Sequence, residues 1–376
     1  MADITFGFIV HLFEEENLRE LAPSLYKKEK KIIEKGLLKM PPQKIAEVKD
    51  IVSPEGVQIN GVLVTTWLFP EQYFTLPESV VFKRILDAVR IAEQAGAKIV
   101  GLGGYNSIVP VGAGLRIARN SRVGITNGNS YTIITSLEAI KQAVYKMGLK
   151  LSDLSVLVLG ATGSIGSVIS ELMAMEKPGK LTLAARNTIR LEGRAKTIFK
   201  NTGYQVCVSN NIENALQNAH VVISATSSPG SVINSIMPGT VVCDVAIPHD
   251  VSERIVWERD DVIVINGGIA KVPGSRAKLK PDLAHLFGMQ PSEGFACFSE
   301  TAILALDGQF GNFSLDRISI NNVKEIWALS KKHGFEIATL RNQREIPIPD
   351  SKFEEIGKLT KQLPIKLTDN PVCLSA

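Results

Sequence analysis

The sequence predicts an α/β protein with a doubly wound parallel sheet in the middle of the chain, an N-terminal α/β region and a C-terminal helical segment. From residue 152 onwards, short apolar runs recur along the chain, with helix-compatible stretches between the earlier ones. The runs are continuous and do not alternate with polar residues, as expected for parallel strands that are covered on both faces. A glycine-rich turn directly follows the first run. The predicted strands are Val156–Leu159, Leu181–Ala185, Gln205–Val208, Val221–Ala225, Val241–Val245 and Val262–Ile265.

The N-terminal region reads as a mixture of short strands and helices. Its clearest helix is Val81–Ala95, where apolar residues recur at three- and four-residue spacing and Gly96 ends the pattern. Its predicted strands are Phe6–Leu12, Val62–Phe69 and Ile99–Leu102.

The regular pattern ends after Gly268, and a loop rich in proline, glycine and charge follows. Two helices are then predicted, Phe295–Leu306 and Val323–His333, and Gly334 is placed at the C-terminal cap of the second. The predicted division is an N-terminal α/β substrate domain, a dinucleotide-binding domain, a C-terminal helical segment and a tail: residues 1–150, 151–290, 291–345 and 346–376.

Composition excludes several broad classes. The 376 residues carry a formal net charge of only +4, so the bulk charge predicts neither a nucleic-acid nor a membrane partner. Lysines are dense from residue 26 to 35, but residues 1–50 contain nine basic and nine acidic side chains, which favours a solvated helix face. The apolar run Ile4–Phe13 is too short to span a bilayer and is predicted to be a buried strand of a cytoplasmic protein.

The four cysteines are widely spaced. Neither a CxxC pair nor a Cys/His pair at ligand spacing is present, so we predict no metal site and no disulfide framework. All four are expected to be free thiols: Cys207, Cys243, Cys297 and Cys373.

The glycine-rich turn after the first mid-chain strand predicts a dinucleotide site of the Rossmann type. Glycines let the backbone approach a pyrophosphate, and the helix that follows supplies N–H donors at its N-terminus. The spacing is GxxGxxG, and a tight turn without a ligand is the alternative; the order of strand, turn, helix and strand favours binding. The predicted cradle is Gly160, Thr162, Gly163, Ser164, Ile165 and Gly166.

The end of the second mid-chain strand indicates which dinucleotide binds. An acidic residue there would hold the ribose 2′-hydroxyl of NAD, but this chain has Arg186 and Asn187, with Arg190 beyond. A guanidinium pairs with a phosphate through two parallel hydrogen bonds, so the sequence predicts NADPH. A surface salt bridge of Arg186 is the alternative.

Further cofactor contacts are predicted where later strands end. Small side chains of the stretch 224–229, Ala225 and Thr226 among them, are placed to border the nicotinamide ribose, because ligands bind at the carboxyl edge of such sheets. Gly267, after the last strand, is predicted to contribute to the same site. The stretch from Asp244 to Pro248 is either a part of the site or a structural turn.

Cys297 is the candidate nucleophile. It lies just past the dinucleotide-binding region, near the start of a predicted helix, where the chain returns towards a cleft between domains. A helix N-terminus lowers a thiol pKa and favours the nucleophilic thiolate. Glu300, one helical turn later, is predicted to orient or protonate the reacting groups; a solvated side chain is the alternative. By the residues alone, a packed core cysteine remains the alternative.

Taken together, these motifs resemble the cyanobacterial-type long-chain fatty acyl-[acyl carrier protein] reductases over nearly the whole chain, to about residue 340. The segments that carry the resemblance are FGFIVHL from Phe6, LGGYNSI from Leu102, GNSYT from Gly128, VLGATGSIGS from Val158, ARN from Ala185, NGG from Asn266, FACFSE from Phe295 and KHGF from Lys332. At the position where that family tends to have histidine, this chain has Tyr131.

The resemblance implies NADPH-dependent reduction of a fatty acyl thioester to an aldehyde, with Cys297 as the residue that carries the acyl group. It implies acyl carrier protein or CoA as the thioester partner. It is also compatible with a peripheral membrane contact and with a partner enzyme that consumes the aldehyde.

The mid-chain region separately resembles the shikimate dehydrogenase and glutamyl-tRNA reductase group. Two alternatives follow: a shikimate-type dehydrogenase of hydroxy or amino acids that forms no covalent intermediate, and a non-catalytic NADP-binding regulatory protein.

Overall fold

The computed structural model describes residues 3–109, 112–226, 236–246, 249–274, 278–283, 286, 290, 292–315, 317–344, 346–362 and 372–373. Its strands are β1 (Ile4–Val10), β2 (Gln43–Val52), β3 (Gln58–Thr65), β4 (Ile99–Leu102), β5 (Gly124–Thr126), β6 (Ser155–Leu159), β7 (Lys180–Ala184), β8 (Cys207–Ser209), β9 (Val221–Ser224), β10 (Val241–Asp244), β11 (Ile263–Asn266), β12 (Ile269–Lys271), β13 (Lys278–Lys280), β14 (Glu293–Phe295), β15 (Glu336–Ile337) and β16 (Val372–Cys373).

Its helices are α1 (Leu18–Leu21), α2 (Lys30–Lys39), α3 (Gln72–Thr75), α4 (Glu78–Gln94), α5 (Tyr105–Ile108), α6 (Ala113–Arg119), α7 (Asn129–Lys146), α8 (Ser164–Met175), α9 (Thr188–Thr202), α10 (Ile212–Leu216), α11 (Glu253–Glu258), α12 (Ala296–Leu306), α13 (Ile320–Lys332) and α14 (Asp350–Gln362). Short 3₁₀ turns occur at Glu15–Asn17 and Leu151–Asp153.

The chain divides into two compact units, and each consists of two stretches of sequence. The first unit combines Met1–Tyr131 with Ala270–Glu336, and the second combines Thr132–Ile269 with Ile337–Ala376. The segment with Cys297 therefore groups with the N-terminal residues and does not belong to the separate segment 291–345 that the sequence predicts. Sequence periodicity shows that a helix forms but not which distant strands it packs on, and this explains the difference.

The second unit is built on the predicted parallel sheet. Six parallel strands lie in the order β11-β10-β9-β6-β7-β8, the doubly wound arrangement, and β16 extends the sheet antiparallel to β8. The predicted fold class is confirmed. The six strands were recognisable because they are buried, and their side chains are therefore almost uniformly apolar.

Part of the predicted C-terminal tail is ordered as α14. Phe353 and Ile356 on this helix are fully buried, and the Thr360 hydroxyl donates to the Gly239 carbonyl at 2.7 Å. Its apolar positions recur at helical spacing, so the signal was present in the sequence but the flanking prolines obscured it.

The cysteines differ from expectation. Cys207 is disulfide-bonded, so the expectation of four free thiols is wrong, whereas Cys243 and Cys297 are free. The β8–β16 register sets Cys373 opposite Cys207. Cysteine spacing could not reveal this, because it does not show that the end of the chain returns to the edge of this sheet.

The first unit contains a mixed sheet in the order β13-β2-β3-β1-β4-β5. The pairs β3–β1, β1–β4 and β4–β5 are parallel, and the pairs β13–β2 and β2–β3 are antiparallel. The predicted helix around residues 81–95 is α4, which ends before Gly96, a residue with a φ of +108°. α13 begins at a Ser319 cap, and the predicted Gly334 follows it with a φ of +77°.

Helix α12 is an interior element of the first unit. Phe298 on this helix packs edge-on against Phe6 and Phe8 of β1, with ring centroids 5.6 and 5.5 Å apart. The helix can approach because β4 contains Gly101, where an added Cβ would overlap the Thr301 hydroxyl. The sheet therefore positions the start of α12, and with it Cys297.

Candidate functional site

The glycine turn in the second unit has the geometry that a dinucleotide requires. Gly160 has a φ of +72°, and an added Cβ would overlap the Ala225 carbonyl oxygen. At Gly166 an added Cβ would overlap the Gly160 carbonyl. Gly160 and Gly166 are therefore required, because another stretch of backbone passes too close to each for a side chain to fit. The turn that they form directly follows β6.

The N-terminus of α8 fits an anionic group. Its cap residue, Gly163, offers no side chain, and no side chain caps the first turn. Gly163 and Ser164 are exposed, and Thr162 and Ile165 are half-buried. Because the first N–H groups of a helix have no partner within it, this turn suits the pyrophosphate of a dinucleotide.

The arginines after β7 are exposed and available. In the part of the chain that the structure describes, neither Arg186 nor Arg190 forms an ion pair, so the salt bridge considered for Arg186 is not found there. Asn187 is already engaged, since its side-chain oxygen accepts the Arg190 backbone N–H at 2.9 Å and caps α9. A phosphate at this edge would meet two guanidinium groups.

The end of β9 is organised by a buried acid that sequence reasoning missed. Asp250 accepts hydrogen bonds from the Thr226 N–H at 2.9 Å, from the Thr226 hydroxyl at 2.7 Å and from the Ser224 hydroxyl at 2.7 Å. Its carboxylate therefore holds the predicted contact residues Ala225 and Thr226 in place. Residues 227–229 and Pro248, also considered above, lie outside the described residues.

Gly267 and Asp244 have structural roles. Gly267 is buried, and its N–H donates to the Asp244 carbonyl at 2.7 Å. The Asp244 carboxylate accepts from the Val251 N–H and from the Gln343 amide, both at 2.8 Å. Burial raises the pKa of Asp244 to about 8. These bonds favour the structural turn for the stretch that begins at Asp244.

Cys297 is the second residue of α12 in the first unit, and it is half-buried. Burial of the thiol raises its pKa to about 12. Backbone hydrogen bonds from Phe298 and Gly104 lower the pKa, but not enough to offset burial, and the charge of Glu300 raises it further. The expectation that the helix N-terminus lowers this pKa is wrong for the ligand-free protein, because desolvation is the larger effect.

Two glycines with positive φ enclose Cys297. At Gly128, with a φ of +73°, an added Cβ would overlap the Cα and Cβ of Cys297. Gly104, with a φ of +55°, turns its N–H towards the sulfur. The cysteine is therefore held against bare backbone, which leaves N–H groups close to its sulfur.

The turn that contains Gly104 is fixed by a buried polar network. The Asn106 amide donates to the Gly103 carbonyl at 2.9 Å and to the Ile9 carbonyl at 3.3 Å. Tyr73 donates to the Asn106 side-chain oxygen at 2.5 Å. The direction of the Gly104 N–H thus depends on side chains that the sequence analysis did not single out.

Glu300 is fully buried, so the solvated alternative is wrong. Its carboxylate accepts from the Thr126 hydroxyl at 2.6 Å and from the Tyr131 N–H at 2.8 Å, and it also bonds to Ser130 and Ser314. Burial raises its pKa. These partners include the backbone N–H groups of Ser130 and Tyr131, so Glu300 caps the first turn of α7.

Tyr131, which replaces the family's histidine, belongs to the core. It is fully buried, and its ring packs edge-on against Phe335 with centroids 6.4 Å apart. Its backbone, rather than its hydroxyl, bonds to Glu300.

His11, at the end of β1, is the ionisable neighbour that sequence reasoning did not select. It is 3% exposed, and its Nδ1 lies 2.7 Å from the Leu12 carbonyl oxygen. Its Nε2 has no hydrogen-bond partner among the described residues. An added Cβ on Gly104 would overlap Nε2, so the imidazole lies directly against the turn that faces Cys297. Burial lowers the pKa of His11 to about 4, although the bond to Leu12 raises it.

Two further properties of the described residues concern membranes and metal ions. Among the described residues, no helix is long and apolar enough to cross a bilayer. Within the same residues, no group of three His, Cys, Asp or Glu side chains is placed to hold a metal ion.

Comparison with known proteins agrees with the division of the chain into two units, because the family match falls within the second. Residues 141–266 match the family model for shikimate/quinate 5-dehydrogenases. The chain is 27% identical to the long-chain acyl-[acyl-carrier-protein] reductase of Synechococcus elongatus over 362 residues, which cover 88% of this chain and 98% of that protein. It is 29% identical to aminotransferase PigE of a Serratia strain over 299 residues, covering 78% of this chain. The chain spans about a third of the length of PigE (34%).

Solved structures are more distant. L-tryptophan dehydrogenase from Nostoc punctiforme aligns over 96% of this chain and 90% of its own, with 12% identity and a TM-score of 0.40. Glutamyl-tRNA reductase from Methanopyrus kandleri aligns over 76% of this chain and 57% of its own, with 18% identity and a TM-score of 0.28. Together with the sheet order and the glycine turn, the family match identifies residues 141–266 as a shikimate dehydrogenase-like NAD(P)-binding domain of the dehydrogenase/reductase kind.

Proposed function

We propose that this protein reduces a long-chain fatty acyl thioester to the fatty aldehyde with NADPH, through an acyl group carried on Cys297. The observation that carries the proposal is the setting of Cys297. The thiol lies against the backbone of Gly104 and Gly128, and backbone N–H groups are directed at its sulfur. Beside the same turn lies the buried imidazole of His11, whose Nε2 has no partner among the described residues. A cysteine that served only to pack the core would need none of these features.

In the first half-reaction, the Cys297 sulfur attacks the acyl carbonyl and the thiol of the donor leaves. Negative charge moves from sulfur to the carbonyl oxygen. The N–H groups of Gly104 and Phe298, which favour charge on the sulfur of the free protein, are the donors proposed to stabilise the charge on oxygen. The product is a thioester of Cys297. Because the free thiol is largely protonated, the attack depends on a base that removes its proton as the new bond forms.

For the second half-reaction, NADPH held at the glycine turn and by Arg186 would supply the hydride that reduces the acyl carbon. Release of the aldehyde breaks the bond between that carbon and the Cys297 sulfur, and the sulfur takes up a proton from water to become the thiol again. Cys297 belongs to the first unit, and the glycine turn belongs to the second.

The choice of NADPH over NADH rests on Arg186 and Arg190. Both are exposed: Arg186 follows the second strand of the parallel sheet, and Arg190 lies in the first turn of α9. The 2′-substituent of the adenosine ribose lies at the end of that strand in such domains. A 2′-phosphate there would be held by charge-assisted hydrogen bonds.

The thioester donor is proposed to be acyl carrier protein or CoA. Similarity to the Synechococcus reductase over 98% of that protein's length supports this choice. A peripheral membrane contact and an aldehyde-consuming partner would follow from a product that is poorly soluble in water.

The test is to incubate the protein with an acyl-carrier thioester and no NADPH, and to map acylation by mass spectrometry. We expect one acyl group on Cys297 and none on Cys243, which is fully buried. Cys297→Ala should abolish acylation and aldehyde formation, and Cys243→Ala, the matched control, should retain both.

The alternatives predict other outcomes. A Cys297→Ala variant that still oxidises NADPH at the wild-type rate would indicate a shikimate-type dehydrogenase without a covalent step. Binding of NADPH with no turnover of any acyl-carrier or CoA thioester would indicate a regulatory protein.

A further inference from the structure

We propose that His11 is the acid–base catalyst of the Cys297 site. Its Nε2 would accept the proton of the thiol as sulfur attacks and return it to the departing thiol of the donor. This inference rests on the proposed function, because it assigns a role in the acyl-transfer half of that reaction.

The structure assigns the tautomer of His11. A carbonyl oxygen can only accept a hydrogen bond, so the 2.7 Å contact with the Leu12 carbonyl requires that Nδ1 be the donor. Nε2 is then the nitrogen with the lone pair. The backbone bond thus fixes the ring and leaves its basic atom available.

The position of Nε2 links it to the sulfur. Gly104 neighbours both groups: its backbone is one of the hydrogen-bond partners that lower the pKa of the Cys297 thiol, and an added Cβ on it would overlap Nε2. Buried polar atoms normally have a partner, and Nε2 has none among the described residues. The proposal therefore places the acyl carbonyl of the substrate at Gly104.

The apolar surroundings of His11 and Cys297 keep both side chains neutral until the substrate binds. Three aromatic rings pack around the imidazole, with centroids 5.0 Å away for Phe13 and 5.6 Å away for both Tyr73 and Tyr105. In such an apolar environment both an imidazolium and a thiolate are costly. The proton therefore moves as the carbon–sulfur bond forms, when the charge passes to the carbonyl oxygen.

The proton balance closes without another reagent. The S–H bond of Cys297 breaks, its proton goes to His11 and the new carbon–sulfur bond forms. When the carbonyl re-forms, the bond to the donor sulfur breaks, and the proton on Nε2 passes to that sulfur. His11 ends neutral, with the donor released as a thiol.

The experiment measures the rate of Cys297 acylation in single turnover without NADPH, by mass spectrometry. Two acyl donors with the same acyl chain are compared: an alkyl thioester, whose thiolate leaves poorly without a proton, and a thiophenyl ester, whose thiolate leaves readily. The variant is His11→Asn, in which the side-chain amide can retain the bond to Leu12 but has no atom equivalent to Nε2.

For His11→Asn we expect both rates to fall, because both donors need the base that takes the thiol proton. The thiophenyl ester rate should fall by about 100-fold, and the alkyl thioester rate by a larger factor, because its thiolate also needs a proton in order to leave. The control is His333→Gln, since His333 is also buried but bonds to Asp307, at the opposite end of α12 from Cys297. Its rates should stay near those of the wild type for both donors.

Equal losses with the two donors, or no loss, would overturn the role of His11. If His11→Asn does not fold, His11→Gln is read by the same comparison, because its amide can fill the ring's place but cannot carry a proton. Failure of the wild type to be acylated by either donor would instead overturn the proposed function.

Discussion

The two candidate sites are built in opposite ways. In the second unit, the glycine turn and the arginines after β7 are exposed, and the first N–H groups of α8 have no side-chain cap. In the first unit, Cys297 and His11 lie in an apolar interior that opposes the charged form of each. The dinucleotide site therefore presents charge that is ready for its ligand. The cysteine site instead favours the neutral forms of Cys297 and His11.

The largest expected effect concerns the neutrality of Cys297. With a pKa of about 12, it should be alkylated by iodoacetamide at pH 7.5 at least about 100-fold more slowly than glutathione, because so little thiolate is present. The rate should rise about tenfold with each pH unit up to pH 10. Peptide mapping by mass spectrometry measures it. A plateau near pH 7 would mean that the thiol is already activated, and the contrast between the two sites would then fail.

The next prediction tests whether the two sites work independently, with one glycine substitution in each. Gly128→Ala and Gly160→Ala both place a Cβ into backbone at a positive φ. We expect Gly128→Ala to slow acylation of Cys297 on the order of 100-fold with NADPH binding retained, and Gly160→Ala to weaken NADPH binding by a similar factor with acylation retained.

Acylation by mass spectrometry and NADPH titration by fluorescence measure the two effects, and circular dichroism checks folding. Gly193→Ala is the matched control, because an added Cβ there meets no neighbouring atom. Loss of both functions in either variant would show that the sites are not independent.

The smallest effect tests the charge presented by the second unit. Arg186→Ala should raise the KM for NADPH by about 10- to 100-fold, the value of a charge-assisted phosphate contact, and should change the KM for NADH little. Lys196→Ala, an exposed cation on the same helix as Arg190, is the control and should change neither. Equal changes for the two nucleotides in Arg186→Ala would contradict the 2′-phosphate assignment.

Much of the second unit could be predicted from the sequence because its signals are local. A buried parallel strand is a continuous apolar run, and the turn residues follow β6 within a few positions. Asp250, which holds Thr226, lies 24 residues away from it and carries no pattern that marks its role.

The cysteine site could be predicted only in part. Cys297 was identifiable by its place near the start of a helix and by resemblance, and its sequence partner Glu300 proved to be a helix cap. The groups around it come from the ends of β1, β4 and β5, some 170 to 290 residues earlier in the chain. The direction of the pKa shift was missed because sequence shows the helix terminus but not the desolvation that outweighs it.

Because most of the second unit lies between the two sequence stretches of the first, the residues around Cys297 are synthesised in two separate stages. His11, Gly104 and Gly128 leave the ribosome early, and α12 follows only after the whole parallel sheet. Until then the glycine-bearing face of β4 lacks the helix that covers it in the finished protein. Cys297 is thus among the last residues of its site to be translated, and no complete cysteine site exists on a chain that ends before it.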